Sequence, residues 1–158
     1  NIPLLYTDID NHLEIIFRNN IKTVITSAGN PGIYTPVLKE RGIKVIHVVS
    51  SRRFAEKAEK AGCDAVIAEG FEAGGHNGRE ETTSMVLIPL VSSAVSIPVI
   101  AAGGIATGRQ MLAAMLLGAE GVQIGSRFVA SDEASSHINF KNAVINSTEG
   151  DTVLTLKE

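Results

Sequence analysis

Five short apolar runs recur along the chain, at residues 23–26, 45–49, 65–68, 98–102 and 121–124, and their regularity constrains the fold more than any other feature. They are rich in Val and Ile, and most do not alternate with polar residues. Strands buried on both faces of a parallel sheet have this character. Most follow a turn signal such as Arg41-Gly42, Ala61-Gly62 or Leu117-Gly118. Between the runs lie segments that begin like helices. Thr35-Pro36 offers an N-cap and a proline at the first helical position. Ser51 precedes a mixed-charge stretch at 52–61, Thr107 precedes 109–117, and Ser131 is followed at once by Asp132 and Glu133. Acidic residues in a first turn suit the helix dipole. Residues 9–19 predict a helix ahead of the first full strand, and residues 1–6 predict the tail of another strand. The order is βαβαβαβαβ, an α/β arrangement built on a parallel sheet.

Strand starts fall about 21 residues apart, except that the third interval is about 33. The surplus lies in one loop, residues 70–83. A repeating scaffold does not need that loop, so it is the candidate working part. The most apolar stretch, 85–102, is interrupted by Pro89, Pro98 and several serines. It reads as a buried helix followed by a buried strand, not as a membrane span. The net charge of -3, the absence of Trp and an aromatic content of 4% argue against nucleic-acid binding, which needs a cationic footprint or stacking platforms. A single cysteine, Cys63, excludes an intrachain disulfide and suits a cytoplasmic protein; it reads as a small buried hydrophobe. The chain starts at Asn1 and is expected to be part of a longer protein.

Two glycine sites stand about one βα unit apart. The first is Ala101-Ala102-Gly103-Gly104-Ile105, and the second is Gln123-Ile124-Gly125-Ser126-Arg127. Glycines let the backbone approach a ligand and open N–H groups toward an anion. Two such turns after consecutive strands match the phosphate site of a (β/α)₈ barrel; tight turns without a ligand are the plainer alternative. The enlarged loop opens with Glu69-Gly70-Phe71-Glu72-Ala73-Gly74-Gly75-His76-Asn77-Gly78. An imidazole exchanges protons near neutrality, so His76 is the candidate acid/base. Glu69 and Glu72 either orient it or are simply solvated. His47, inside an apolar run, reads as a strand residue with a satisfied hydrogen bond, and His12 as a helix-face residue. Glu133, His137 and Lys141 are spaced to share one helix face, as a salt-bridged row or as a phosphate contact. Ser27 and Asn30, in another strand-end turn, either line the pocket or shape the loop. No metal-ligand spacing, Walker loop or nucleophile elbow is present.

Taken together, Glu72-Ala73-Gly74-Gly75-His76-x-Gly78, Ile100-Ala101-Ala102-Gly103-Gly104-Ile105 and Gly121-Val122-Gln123-Ile124-Gly125-Ser126-Arg127-Phe128 resemble the nitronate monooxygenase (2-nitropropane dioxygenase) family, which shares its pattern with FMN-dependent enoyl-acyl-carrier-protein reductase II. Thr26-Ser27-Ala28-Gly29-Asn30-Pro31 fits as well. The resemblance implies a parallel (β/α)₈ TIM barrel, of which this chain covers about five βα units. Residues 1–145 are then the C-terminal, FMN-binding part of the barrel, and 146–158 the unplaced start of an added segment. It implies His76 as the catalytic histidine, and Glu69, Gly74, Gly75, Gly103, Gly104, Gln123, Gly125 and Ser126 as FMN-binding residues. Ser126 stands where the family commonly has threonine, and keeps a hydroxyl.

The expected activity is FMN-dependent oxidation of nitronates by O₂. The alternative is NAD(P)H- and FMN-dependent reduction of an enoyl thioester. A rival of another class is a non-catalytic module that binds a phosphate ligand or serves assembly. An IMP-dehydrogenase-like reading needs a cysteine after a glycine-rich strand end, and Cys63 lies before a strand. The expected partners are a small-molecule or acyl-thioester substrate and a second copy in a homodimer, with neither nucleic acid nor membrane.

Overall fold

The computed structural model describes residues 1–155. They form two units, residues 1–123 and residues 124 onward. The first unit holds a six-stranded parallel sheet of β1 (Ile2–Pro3), β2 (Thr23–Ser27), β3 (Lys44–Val49), β4 (Ala65–Glu69), β5 (Val99–Ala102) and β6 (Gly121–Gln123). Each strand lies beside its sequence neighbour, and the order never reverses. A doubly wound sheet must reverse once; an unbroken order is the way a (β/α)₈ barrel is laid down.

Five helices connect these strands: α1 (Ile9–Arg18), α2 (Pro31–Glu40), α3 (Arg52–Lys60), α4 (Ser84–Ser92) and α5 (Gly108–Leu116). In α1, Ile9, Leu13 and Ile16 recur on one buried face. In α3 the buried residues are only Ala55 and Ala58, small enough to bring the helix close to the sheet, while charged side chains cover the rest. The Ser51 cap holds, its hydroxyl accepting the Phe54 N–H. Thr107 and Gln110 complete a reciprocal capping box at α5.

The helix after β2 begins earlier than Thr35-Pro36 predicts. Asn30 is the cap, its side chain accepting from Gly32 N, with Pro31 at the first turn; Thr35 and Pro36 lie inside α2. The chain contains two cap-proline signals there, and the first one reached starts the helix. The stretch at 85–102 does give a helix and then a strand, but α4 is not buried all round. Leu87, Ile88 and Val91 face inward, whereas Met85 and Val86 are exposed.

The core lies between the sheet and its helices. Val24, Val45, Val49, Val66, Ala68 and Val99 meet Leu38, Ala55, Leu87 and Val91. His47 shares this face; it is 4% exposed and its Nδ1 lies 2.7 Å from Thr26 Oγ1. Burial pushes its pKa down to about 4, with the charge of Lys57 adding to the effect. The ring is therefore a neutral core residue with a partner, as the sequence suggested. Ion pairing between Lys39 and Asp64 ties α2 to the turn before β4, and Asp64 also accepts the Val45 N–H.

On the opposite face Ile25, Ile46, Val48 and Ile100 are only half-buried. The apolar runs lack sequence alternation because both faces are apolar. Burial alternates in β2 and β3 because this chain's helices cover one face alone. β4 and β5 are buried through most of their length.

The second unit contains α6 (Ser126–Val129) and α7 (Ile138–Asn146). Ser131 does not start a helix. Residues 131–134 make a turn closed by Ala134 N on Ser131 O, and His137 caps α7 by accepting the Asn139 N–H. The expected row of Glu133, His137 and Lys141 on one helix face is thus corrected, since only Lys141 is helical. Its Nζ donates to the carbonyls of Ser131 and Asp132, which draws those carbonyls out of any helical ladder. Residues 147–155 carry no helix or strand, and residues 156–158 of the expected added segment lie outside the described residues.

Candidate active site

The catalytic end of a parallel barrel is the C-terminal end of its strands, where the βα loops gather. In β4, β5 and β6 this end is one register row, Glu69, Ala102 and Gln123. Side chains of register partners in a parallel sheet point the same way, so Glu69 and Gln123 flank Ala102 on the face that the helices leave uncovered. Glu69 is half-buried, and burial pushes its carboxyl pKa up.

Residues 70–83 leave β4 as a loop without regular structure, folded on its own contacts. Phe71 N bonds Thr82 O at 2.9 Å and closes the loop's base. The Asn77 side-chain amide donates to Phe71 O (3.2 Å) and Ala73 O (2.8 Å), which makes Gly74-Gly75-His76 the tip of a closed turn. Gly75 has φ +107°. His76 is exposed at this tip, and among the described residues no protein hydrogen bond fixes its ring.

Glu72 does not orient His76. Its carboxylate reaches the N-terminus of α4, where it accepts the Ser84 N–H at 2.9 and 3.1 Å. A carboxylate at the positive end of a helix is favourably placed. The Ser84 hydroxyl, buried beneath it, lies 3.0 Å from Glu72 Oε2 and 2.9 Å from Gly103 O. Gly70 leaves no room there for a side chain, since a Cβ would stand 2.1 Å from Ser84 Oγ. Loop base, helix start and glycine turn therefore meet at one serine.

Gly103 and Gly104 follow β5 with φ +101° and +69°, the left-handed region that L side chains avoid. A Cβ on Gly103 would also stand 2.8 Å from Gly70 O. The structure thus brings Gly103 and Gly104 against the base of the His76 loop. Among the described residues no protein acceptor takes the Gly104 N–H. Gly125 and Ser126 belong to the second unit, where Gly125 precedes α6 with φ -102°. Neither its conformation nor its neighbours require glycine, because nothing lies within 4 Å of where a Cβ would be. Asn30 shapes the start of α2, and Ser27 ends β2 with its hydroxyl on Asn1 Oδ1.

Sequence reasoning missed Ser84 and Asn77. The hydroxyl run Thr82-Thr83-Ser84 before an apolar helix was the available signal for the first. Nothing local marks the second, because its role exists only once the loop is closed. Among the described residues no group of His, Cys, Asp and Glu could hold a metal ion, and no helix is long and apolar enough to cross a membrane.

Comparison with known proteins adds a family. A family model described as nitronate monooxygenase matches residues 3–157. A probable nitronate monooxygenase of Staphylococcus aureus (strain JH9) is 42% identical over 153 residues, covering 91% of this chain and 43% of that protein. One from Staphylococcus saprophyticus is 46% identical, covering 90% of this chain and 43% of that protein. Among solved structures, FabK from Thermotoga maritima is 50% identical with a TM-score of 0.92, covering 97% of this chain and 49% of that one. Nitroalkane oxidase from Streptomyces ansochromogenes is 31% identical with a TM-score of 0.77, covering 85% of this chain and 42% of that one. The chain spans less than half the length of these relatives.

Proposed function

The chain belongs to the nitronate monooxygenase family, and from that premise we propose that the protein containing it is an FMN-dependent oxidoreductase that oxidises nitronates with O₂. The observation that carries this reading is the Gly103-Gly104 turn, whose left-handed backbone leaves the Gly104 N–H without a protein acceptor among the described residues, beside the base of the His76 loop. An amide so placed suits a phosphate oxygen.

In this reading Gly103 and Gly104 hold the FMN phosphate. Gly74 and Gly75 let the loop lie against the ring system, and Glu69 and Gln123 line its polar edge. The flavin, when bound, supplies the electron-accepting ring that the side chains of this protein lack. His76 takes the α-proton of a neutral nitroalkane or, as a cation, stabilises the bound nitronate. Residues 1–145 are the barrel part and 146–158 begin an added segment; a homodimer and a cytoplasmic location belong to the same proposal.

A second reading is NAD(P)H- and FMN-dependent reduction of an enoyl thioester, and the 50% identity to FabK favours it. His76 then donates a hydrogen bond or proton to the developing enolate. The test uses the purified full-length protein. O₂ consumption with a nitronate supports the first reading, and NADH oxidation with crotonyl thioester the second. With a neutral nitroalkane or the enoyl thioester as substrate, His76→Ala should lower turnover about 10²-fold or more while FMN content stays constant. Undiminished turnover removes His76 from this role.

A further inference from the structure

Ser84 sits outside every motif that pointed to the site, yet it contacts the backbone of the glycine turn. Its single hydroxyl proton faces three acceptors: Gly103 O at 2.9 Å, Glu72 Oε2 at 3.0 Å and Ala102 O at 3.3 Å. Two of these have another donor. Glu72 takes the Ser84 N–H, and Ala102 O takes the Gly70 N–H at 2.9 Å. Among the described residues Gly103 O has only the hydroxyl. Gly103 O is half-buried, has no other donor among these residues and makes the shortest of the three contacts, so the proton is assigned to Gly103 O.

That bond has a consequence on the other side of the same peptide. In a trans peptide the C=O and the N–H point in opposite directions, and among the described residues no peptide is cis. Fixing Gly103 O on Ser84 therefore turns the Gly104 N–H away from Ser84. A Gly-Gly peptide is the one most free to flip, because neither residue has a Cβ to bias it. The two glycines that let the turn exist cannot choose which way its amide faces. A buried donor beneath it can.

We propose that Ser84 is a positioning residue for anion binding: its hydroxyl locks the Gly103–Gly104 peptide so that the Gly104 N–H is presented to the phosphate of the flavin. This rests on the FMN reading above. Glu72 supports the lock by holding the Ser84 backbone at the start of α4, so the His76 loop and the anion site share one anchor.

The test compares FMN with riboflavin, which lacks the phosphate, by flavin fluorescence quenching on the apo form of the full-length protein and its Ser84→Ala variant. Ser84→Ala should weaken FMN binding about three- to tenfold, the range of one hydrogen bond, and leave riboflavin binding unchanged. Ser84→Cys, which restores a weak donor, should recover part of the loss. If Ser84→Ala weakens both ligands equally, Ser84 serves packing in general and the proposal falls. If the variant keeps the full preference for FMN over riboflavin, the proposal also falls while the FMN reading stands. If the unsubstituted protein binds neither flavin, the FMN reading itself fails. A variant that does not fold, judged by circular dichroism, with Ser84→Cys folded but no weaker for FMN, likewise overturns it.

Discussion

Acidification should destabilise this protein through one residue on the far side of the sheet from the candidate site. His47 is 4% exposed, packed among Val45, Val49 and Val66, with Thr26 Oγ1 as its partner. Its pKa falls from 6.5 to about 4 on burial, with Lys57 contributing second. The unfolded chain therefore binds a proton at pH 5 that the folded chain refuses. The sign follows: stability is full above pH 6.5, declines as pH falls from 6.5 toward 4, and levels off below that. With these two pKa values the loss between pH 7 and pH 5 is about 2 kcal/mol. Glu69, whose pKa is raised, acts in the opposite direction, so wild type alone does not isolate the histidine. The discriminating comparison is between wild type and His47→Gln, which cannot titrate. Urea unfolding of the full-length protein at several pH values, followed by far-UV circular dichroism, gives both stability curves. Their difference should shrink by about 2 kcal/mol from pH 7 to pH 5 as wild type loses its advantage. A difference that stays constant with pH would refute the assignment of His47 as a neutral core residue.

Two other outcomes follow from the packing and from the glycine turn. Leu87 is fully buried between α4 and the sheet, and Leu87→Ala should cost about 2–5 kcal/mol in urea unfolding, with loss of flavin only as unfolding begins. Gly104→Val forces a β-branched residue to φ +69° and places its Cβ 3.2 Å from that of Glu72. The purified variant should carry markedly less FMN by its visible absorbance, and full occupancy would remove Gly104 from the phosphate site.

Much of the scaffold is legible in the sequence because strand burial and helix capping are local chemistry. The apolar runs become β2 to β6 within a residue or two, and Ser51 and Thr107 cap the helices that follow them. Where two local signals compete, the sequence is silent on the winner. Thr35-Pro36 reads as a helix start and Asn30-Pro31 as a strand-end turn, yet the structure starts the helix at Asn30-Pro31. Glu133, His137 and Lys141 have helical spacing, but Lys141 binds the carbonyls of the turn and leaves Glu133 outside the helix.

By itself the chain's alternation of apolar runs and capped segments determined a parallel α/β sheet, and its glycine and histidine motifs determined the family. Only the tertiary structure decided that the strand order never reverses, that Glu72 serves the start of α4 instead of His76, and that Ser84 lies under the Gly103 carbonyl. The reason is range. Periodicity and caps are settled within a few residues, whereas Ser84 and Gly103 stand 19 residues apart and meet only after β4 and β5 have paired.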